Sequence, residues 1–127
     1  MRYLYDTNIF IYYLAGETRV DSLFAEDFLN LHEILMSPIV RIELVSFPGL
    51  SEDEEQSIED LLSQFSSVPL SREIEDQTIQ LKRQHKIKLP DAIIAATTLN
   101  QDAFLVTRNV SDFKGIARLK VENPFSD

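Results

Sequence analysis

Three acidic residues stand where a folded chain can turn charge into chemistry. Asp6 directly follows a short apolar and aromatic segment, Arg2–Tyr5; Glu43 lies inside PIVRIELV; and Asp91 follows Leu89-Pro90 at the head of an apolar run. A fourth polar group, Thr107-Arg108-Asn109-Val110-Ser111-Asp112, comes after Ala103–Val106. Clustered carboxylates repel one another, and burial raises their pKa further, so a protein that gathers them needs a counter-charge. A hard dication such as Mg²⁺ or Mn²⁺ fits, because it takes oxygen ligands in octahedral geometry and keeps several waters. The chain has no cysteine, and its two histidines, His32 and His85, are isolated in sequence and read as surface residues, so zinc is not expected. A carboxylate-held dication neutralises a phosphodiester, activates water and stabilises a leaving oxygen. It also inverts the local charge, so that a nucleic acid can approach an acidic site.

Each of these residues has an ordinary structural alternative. Asp91 can be a helix-start acid stabilised by the helix dipole, and Asp6 an Asx-turn residue. Glu43 can be an exposed group on a half-buried helix, and Asp112 a turn or cap residue. Their combination is what matters, and it depends on whether the surrounding elements bring all four to one place.

Arg2–Tyr5 fits a buried strand, followed by a helix over Ile9–Leu14. Thr18 can cap a second helix carrying Val20, Leu23, Phe24 and Phe28 at helical spacing. Ile34–Met36 is a short strand candidate. Ser37-Pro38 marks a helix start, since serine caps and proline is tolerated at the first helical position; that helix carries Glu43 and stops at Pro48-Gly49. Ser51 with Glu54 three residues on is a capping box, opening a helix with Ile58, Leu61, Leu62 and Phe65 as its apolar stripe. Val68–Leu70 reads as a brief strand, and Ser71 caps a helix to about Gln84 with Ile74, Thr78 and Leu81 inward. Ala92–Leu99 is small and apolar nearly all round, as a buried helix is. Ala103–Val106 reads as a central strand and Ile116–Val121 as an edge strand. Alternating strands and helices imply an α/β sandwich with a mainly parallel sheet. No repeat or linker divides residues 1–127, so one domain is expected. In such sheets, sites form beyond the carboxyl ends of the strands, where Asp6 and the 107–112 segment fall.

A net charge of −9 at first opposes binding to a polyanion. The charge is segregated, however. Residues 1–81 carry 4 basic and 16 acidic side chains, whereas residues 82–120 carry 8 basic and 3 acidic, so a basic face is possible on an acidic protein. Lys82, Arg83, Lys86, Lys88, Arg108, Lys114, Arg118 and Lys120 are the candidates for phosphate contacts. No apolar run approaches the roughly 18 residues of a membrane span, and the opening stretch lacks the features of a signal peptide. A cytoplasmic location is expected.

Four segments together resemble a known family. LYDTNIFIYYL is similar to the opening of PIN domains, above all VapC-type toxins of type II toxin–antitoxin pairs; PIVRIELVSF resembles the helix bearing their second acid, KLPDAIIAATTL their third motif and FLVTRNVSDF their fourth. The resemblance covers most of the chain, in the family's order. It implies a PIN-like three-layer α/β/α sandwich and an Mg²⁺- or Mn²⁺-dependent endoribonuclease whose products carry 5′-phosphate and 3′-hydroxyl ends. By motif, Asp6, Glu43 and Asp91 take the places of the metal-binding acids, while Asn8 and Thr107 take places that orient them. The fourth motif departs from the pattern: Asn109 stands where many members have Asp, with Asp112 nearby to assist. Asn109 supplies no charge, so a one-metal mechanism is expected. The resemblance also implies a homodimer and a cognate antitoxin whose tail covers the acidic groove, with Phe10, Tyr12, Tyr13, Phe24 and Phe28 as candidates for the partner surface or for ordinary core.

Two other readings compete. A receiver-like or dehalogenase-like phosphotransfer domain would use Asp6 as a phosphate acceptor, but the first normally has an adjacent acidic pair and the second Asp-x-Asp, where this chain has Asp6-Thr7-Asn8. A non-catalytic PIN-like module that binds RNA or protein would have little reason to keep three acids.

Overall fold

In the computed structural model, which describes residues 1–126, the strands form one five-stranded sheet in the order β3-β2-β1-β4-β5. The strands are β1 (Arg2–Tyr5), β2 (Glu33–Met36), β3 (Ser66–Ser67), β4 (Phe104–Val106) and β5 (Lys120–Glu122), and all four pairings are parallel. Six α-helices connect them: α1 (Thr7–Leu14), α2 (Glu26–Leu31), α3 (Pro38–Val45), α4 (Glu52–Leu62), α5 (Arg72–Gln84) and α6 (Leu89–Asn100), with 3₁₀ segments at Thr18–Phe24 and Val110–Phe113.

Side chains alternate across a strand, so β1, β2 and β4 each feed two cores. Tyr3, Tyr5, Ile34, Met36 and Val106 face one side, packed with Ile9 and Phe10 of α1, Val40 and Leu44 of α3, and Ile58 and Leu62 of α4. Leu4, Leu35 and Leu105 face the other, packed with Ile74 and Leu81 of α5 and Ala92, Ile94, Ala95 and Ala96 of α6. Both faces are covered, which is why the strands read as continuous apolar runs rather than alternating ones. The result is the three-layer α/β/α sandwich expected, with a sheet that is wholly parallel.

The local starts follow the expected chemistry. The Ser37 and Ser71 hydroxyls accept from Ile39 and Ile74 N–H groups, and Ser51 and Glu54 close the reciprocal capping box. Three assignments move. β3 lies at Ser66–Ser67 rather than Val68–Leu70, because Pro69 has no N–H for a ladder; Val68 gives the last bond, to Met36 O at 2.9 Å. β5 is Lys120–Glu122 rather than Ile116–Val121: Arg118 is left-handed at φ 67°, and Ile116 and Leu119 donate to carbonyls three residues back, so that stretch is turn. The single helix from Thr18 is two pieces, a 3₁₀ segment capped by Glu17 and then α2, separated by extended Ala25. The break lets Phe24 stack on Tyr13 while Phe28 packs against Tyr3. Among the described residues no helix is long and apolar enough to cross a membrane.

Candidate active site

β1 and β4 are neighbours in the sheet, so the residues that follow them emerge side by side. Asp6 N donates to Val106 O at 2.9 Å, which ties the end of β1 to the end of β4. Asp6 is then the N-cap of α1: its Oδ1 accepts from Thr7 N at 2.8 Å. Its Oδ2 accepts from the Thr107 hydroxyl at 2.8 Å and from Asn8 Nδ2 at 3.3 Å. Asn8 Nδ2 also reaches Thr107 Oγ1 at 3.3 Å, and Asn109 N donates to the same hydroxyl oxygen at 3.1 Å. Asn8 and Thr107 thus both bond the Asp6 carboxylate, and Asn109 bonds Thr107 through its backbone.

Asp6 is only 5% exposed. Burial pushes its carboxyl up to about 6, and the charges of Asp91 and Glu43 push the same way against the bonds from Thr107 and Thr7. Asp91, in the first turn of α6, is also raised, first by burial and then by Asp112 and Glu43, with Lys88 opposing. Four carboxylates contributed by residues 6, 43, 91 and 112 therefore sense one another at the carboxyl edge of the sheet. Glu43, exposed on α3, is held by the Thr7 hydroxyl at 2.6 Å. Thr7 is a positioning residue that the sequence reading missed, since nothing in Asp-Thr-Asn foretells a contact 36 positions away.

The carboxylates surround the site without closing on a point. Among the described residues no group of three or more His, Asp or Glu side chains is drawn together tightly enough to hold a metal ion as it stands. The donor set is all oxygen, and burial pushes its innermost member toward protonation. That set suits a hard dication.

Two placements differ from expectation. Arg108 lies over the Phe125 and Tyr12 rings, 4.3 and 5.2 Å from their centroids, and donates to Tyr12 Oη at 3.1 Å. Neither histidine is a plain surface residue. His85 lines a cleft with Asp91 and Asp112, and His32 is half-buried against Tyr3 and Phe28 with its Nδ1 unbonded.

A buried acid directly after the first strand thus caps the next helix and senses acids from two further helices. The PIN domain family model matches residues 3–119, and the chain belongs to that family. It is 34% identical over 115 residues to Ribonuclease VapC19 of Mycobacterium tuberculosis, covering 87% of this chain and 90% of that protein. Among solved structures it is similar to a toxin–antitoxin complex from Klebsiella pneumoniae, at 31% identity and TM-score 0.80 over 98% of both chains. It is also similar to VapBC2 from Rickettsia felis bound to a DNA fragment from their promoter, at 26% identity and TM-score 0.83, over 97% of this chain and 98% of that one.

Proposed function

We propose that this chain is a divalent-metal-dependent endoribonuclease, the toxin of a toxin–antitoxin pair. The observation that carries the reading is Asp6: a nearly buried carboxylate, bonded by Thr7, Asn8 and Thr107, with the charges of Asp91 and Glu43 directed at it. A protein gains no stability from such a cluster, so its use is chemical. The similarity to a ribonuclease and to toxin–antitoxin complexes supports the same reading.

Asp6, Asp91 and Glu43 would hold one Mg²⁺ or Mn²⁺, which when bound supplies charge neutralisation at the phosphate and an activated water. The chain's own residues do the rest. Thr107 and Asn8 fix Asp6, and Thr7 fixes Glu43, so that two of the acids are oriented before substrate arrives. Asp91, half-buried with its pKa raised, would take the proton of the attacking water. A new P–O bond forms to that water, the bond to the 3′ oxygen breaks, and the departing 3′ oxygen takes a proton from solvent to become a hydroxyl. Asp112, exposed on the 3₁₀ turn after β4, supports the charge around Asp91 where Asn109 cannot.

For the antitoxin, the expectation that Phe10 and Phe24 belong to a partner surface does not hold. Both are buried, and Tyr12, Tyr13 and Phe28 are half-buried against the same core. One exposed apolar surface lies instead in a groove of about 470 Å³ between α1, α3 and α4, lined by Ile11, Leu14, Leu44, Phe47 and Leu50 with Asp53 and Glu54 on its rim. Its occupant is an amphipathic helix of the antitoxin, with apolar residues toward Phe47 and Lys or Arg toward the acidic first turn of α4.

The activity is tested with Asp91→Asn, which should remove EDTA-sensitive RNA cleavage while leaving the circular dichroism spectrum unchanged. Cleavage at the wild-type rate by that variant would end the assignment. The open spacing of the acids and the presence of Asn109 favour one alternative, a non-catalytic PIN-like module that binds RNA or protein. Calorimetric titration with Mg²⁺ separates the two, because an inert module should bind the ion no better than scattered surface carboxylates do.

A further inference from the structure

Eight cationic side chains lie between residues 82 and 120, and the fold removes five of them from contention as partners for substrate near the acids. Lys82 Nζ donates to Ile87 O at 2.7 Å and so holds the α5–α6 connection. Arg83 faces Glu73 and Asp76 in a groove along α5. Arg118 and Lys120 line a cavity with Asp102 and Ala103, before β4 begins, and Lys120 bonds Asp102 at 3.3 Å. That is the amino end of the sheet, opposite Asp6. Arg108 is laid on aromatic rings.

Lys86, Lys88 and Lys114 remain, and they line one cleft of about 270 Å³ together with Ser111, Asp91 and Asp112. Among the described residues none of the three lysines makes an ion pair or side-chain hydrogen bond, although Lys88 is near enough to Asp91 to oppose the rise of its pKa. Three ammonium groups against two carboxylates leave a surplus of positive charge here, in a chain whose net charge is −9. Lys88 is also the N-cap of α6 and makes no side-chain capping bond, so the positive end of that helix opens on the same cleft.

We propose that the cleft of Lys86, Lys88, Lys114 and Ser111 seats an RNA backbone phosphate adjacent to the one being cut, and so sets the register of the strand across Asp91. The proposal rests on the nuclease reading of the neighbouring acids and names where their substrate is held. The lysines act as positioning residues. They anchor the strand through charge, which is independent of base sequence, and leave the reacting phosphate to the carboxylate side.

The test is the full chain carrying Lys86→Gln, Lys88→Gln and Lys114→Gln together, probed with a short fluorescein-labelled single-stranded RNA. Fluorescence polarisation, in an Asp6→Asn background so that the RNA stays intact, should show affinity lowered by at least about 10-fold. The slope of log affinity against log salt should become shallower by about 0.7, the contribution of one neutralised phosphate on a single strand. Arg118→Gln with Lys120→Gln should change neither quantity. In the active background the triple variant should raise KM for the same RNA by a similar factor while kcat stays within about 2-fold. Each single lysine variant should show a smaller loss of the same kind, which covers the case of a triple variant that does not fold. Unchanged affinity and salt slope, or a fall in kcat at constant KM, would overturn the proposal. Failure of the wild type to cut RNA with Mg²⁺ present strikes the nuclease reading instead, and the polarisation result then decides the cleft by itself.

Discussion

Asp6→Asn should stabilise the metal-free protein even as it abolishes the activity. Burial and the neighbouring acids raise the Asp6 carboxyl from an ordinary 3.8 to about 6. A carboxyl whose folded pKa is raised binds its proton more tightly in the native state. Its penalty is therefore absent below the unfolded value, accumulates as pH rises from about 4 to about 6, and is complete above that. At about 1.36 kcal/mol per unit, the shift corresponds to roughly 3 kcal/mol at pH 8. The introduced amide keeps the capping bond to Thr7 N but meets the amide of Asn8 and the hydroxyl of Thr107 with a donor, losing about 1 kcal/mol. A net gain of about 1–2 kcal/mol remains, or roughly 3–8 °C in Tm for a chain of this size. Urea or thermal unfolding in EDTA at pH 8 and at pH 4 measures it. The gain should be present at pH 8 and absent or reversed at pH 4. Added Mg²⁺ should raise the Tm of the wild type more than that of the variant, because the ion relieves the same repulsion. A variant no more stable than wild type at pH 8, or a gain undiminished at pH 4, would refute the desolvation account of Asp6.

Thr107→Val removes the hydroxyl that donates to Asp6 and accepts from Asn109 N; it should cost about 1–3 kcal/mol in urea unfolding and lower kcat more than it raises KM. Phe47→Glu, at an exposed position on the apolar groove, should leave Tm and RNA cleavage unchanged but weaken capture of a co-expressed antitoxin at least about 10-fold. An undiminished complex would place the partner elsewhere.

The composition and local patterns of the chain determined the elements and their kind. Ser37-Pro38, Ser51 with Glu54, and Ser71 mark helix starts through bonds made within four residues, so no distant contact is needed to read them. Leu4, Leu35 and Leu105 sit in runs apolar on both faces, which only a covered parallel sheet requires. The motifs around Asp6, Glu43, Asp91 and Thr107 named candidate residues that lie far apart along the chain. What tertiary structure decided was every relation across the fold. Strand pairing of β1 with β4 brings Thr107 onto Asp6 across 101 positions, and the seating of α3 beside α1 brings Glu43 onto Thr7. The same packing assigned Phe10 and Phe24 to the core, left Ile11 and Phe47 outside, and sorted eight similar cations into five engaged elsewhere and three beside the acids. Local propensity acts over a helical turn, whereas burial and Coulomb energy depend on distance in space, which the order of residues along the chain does not contain.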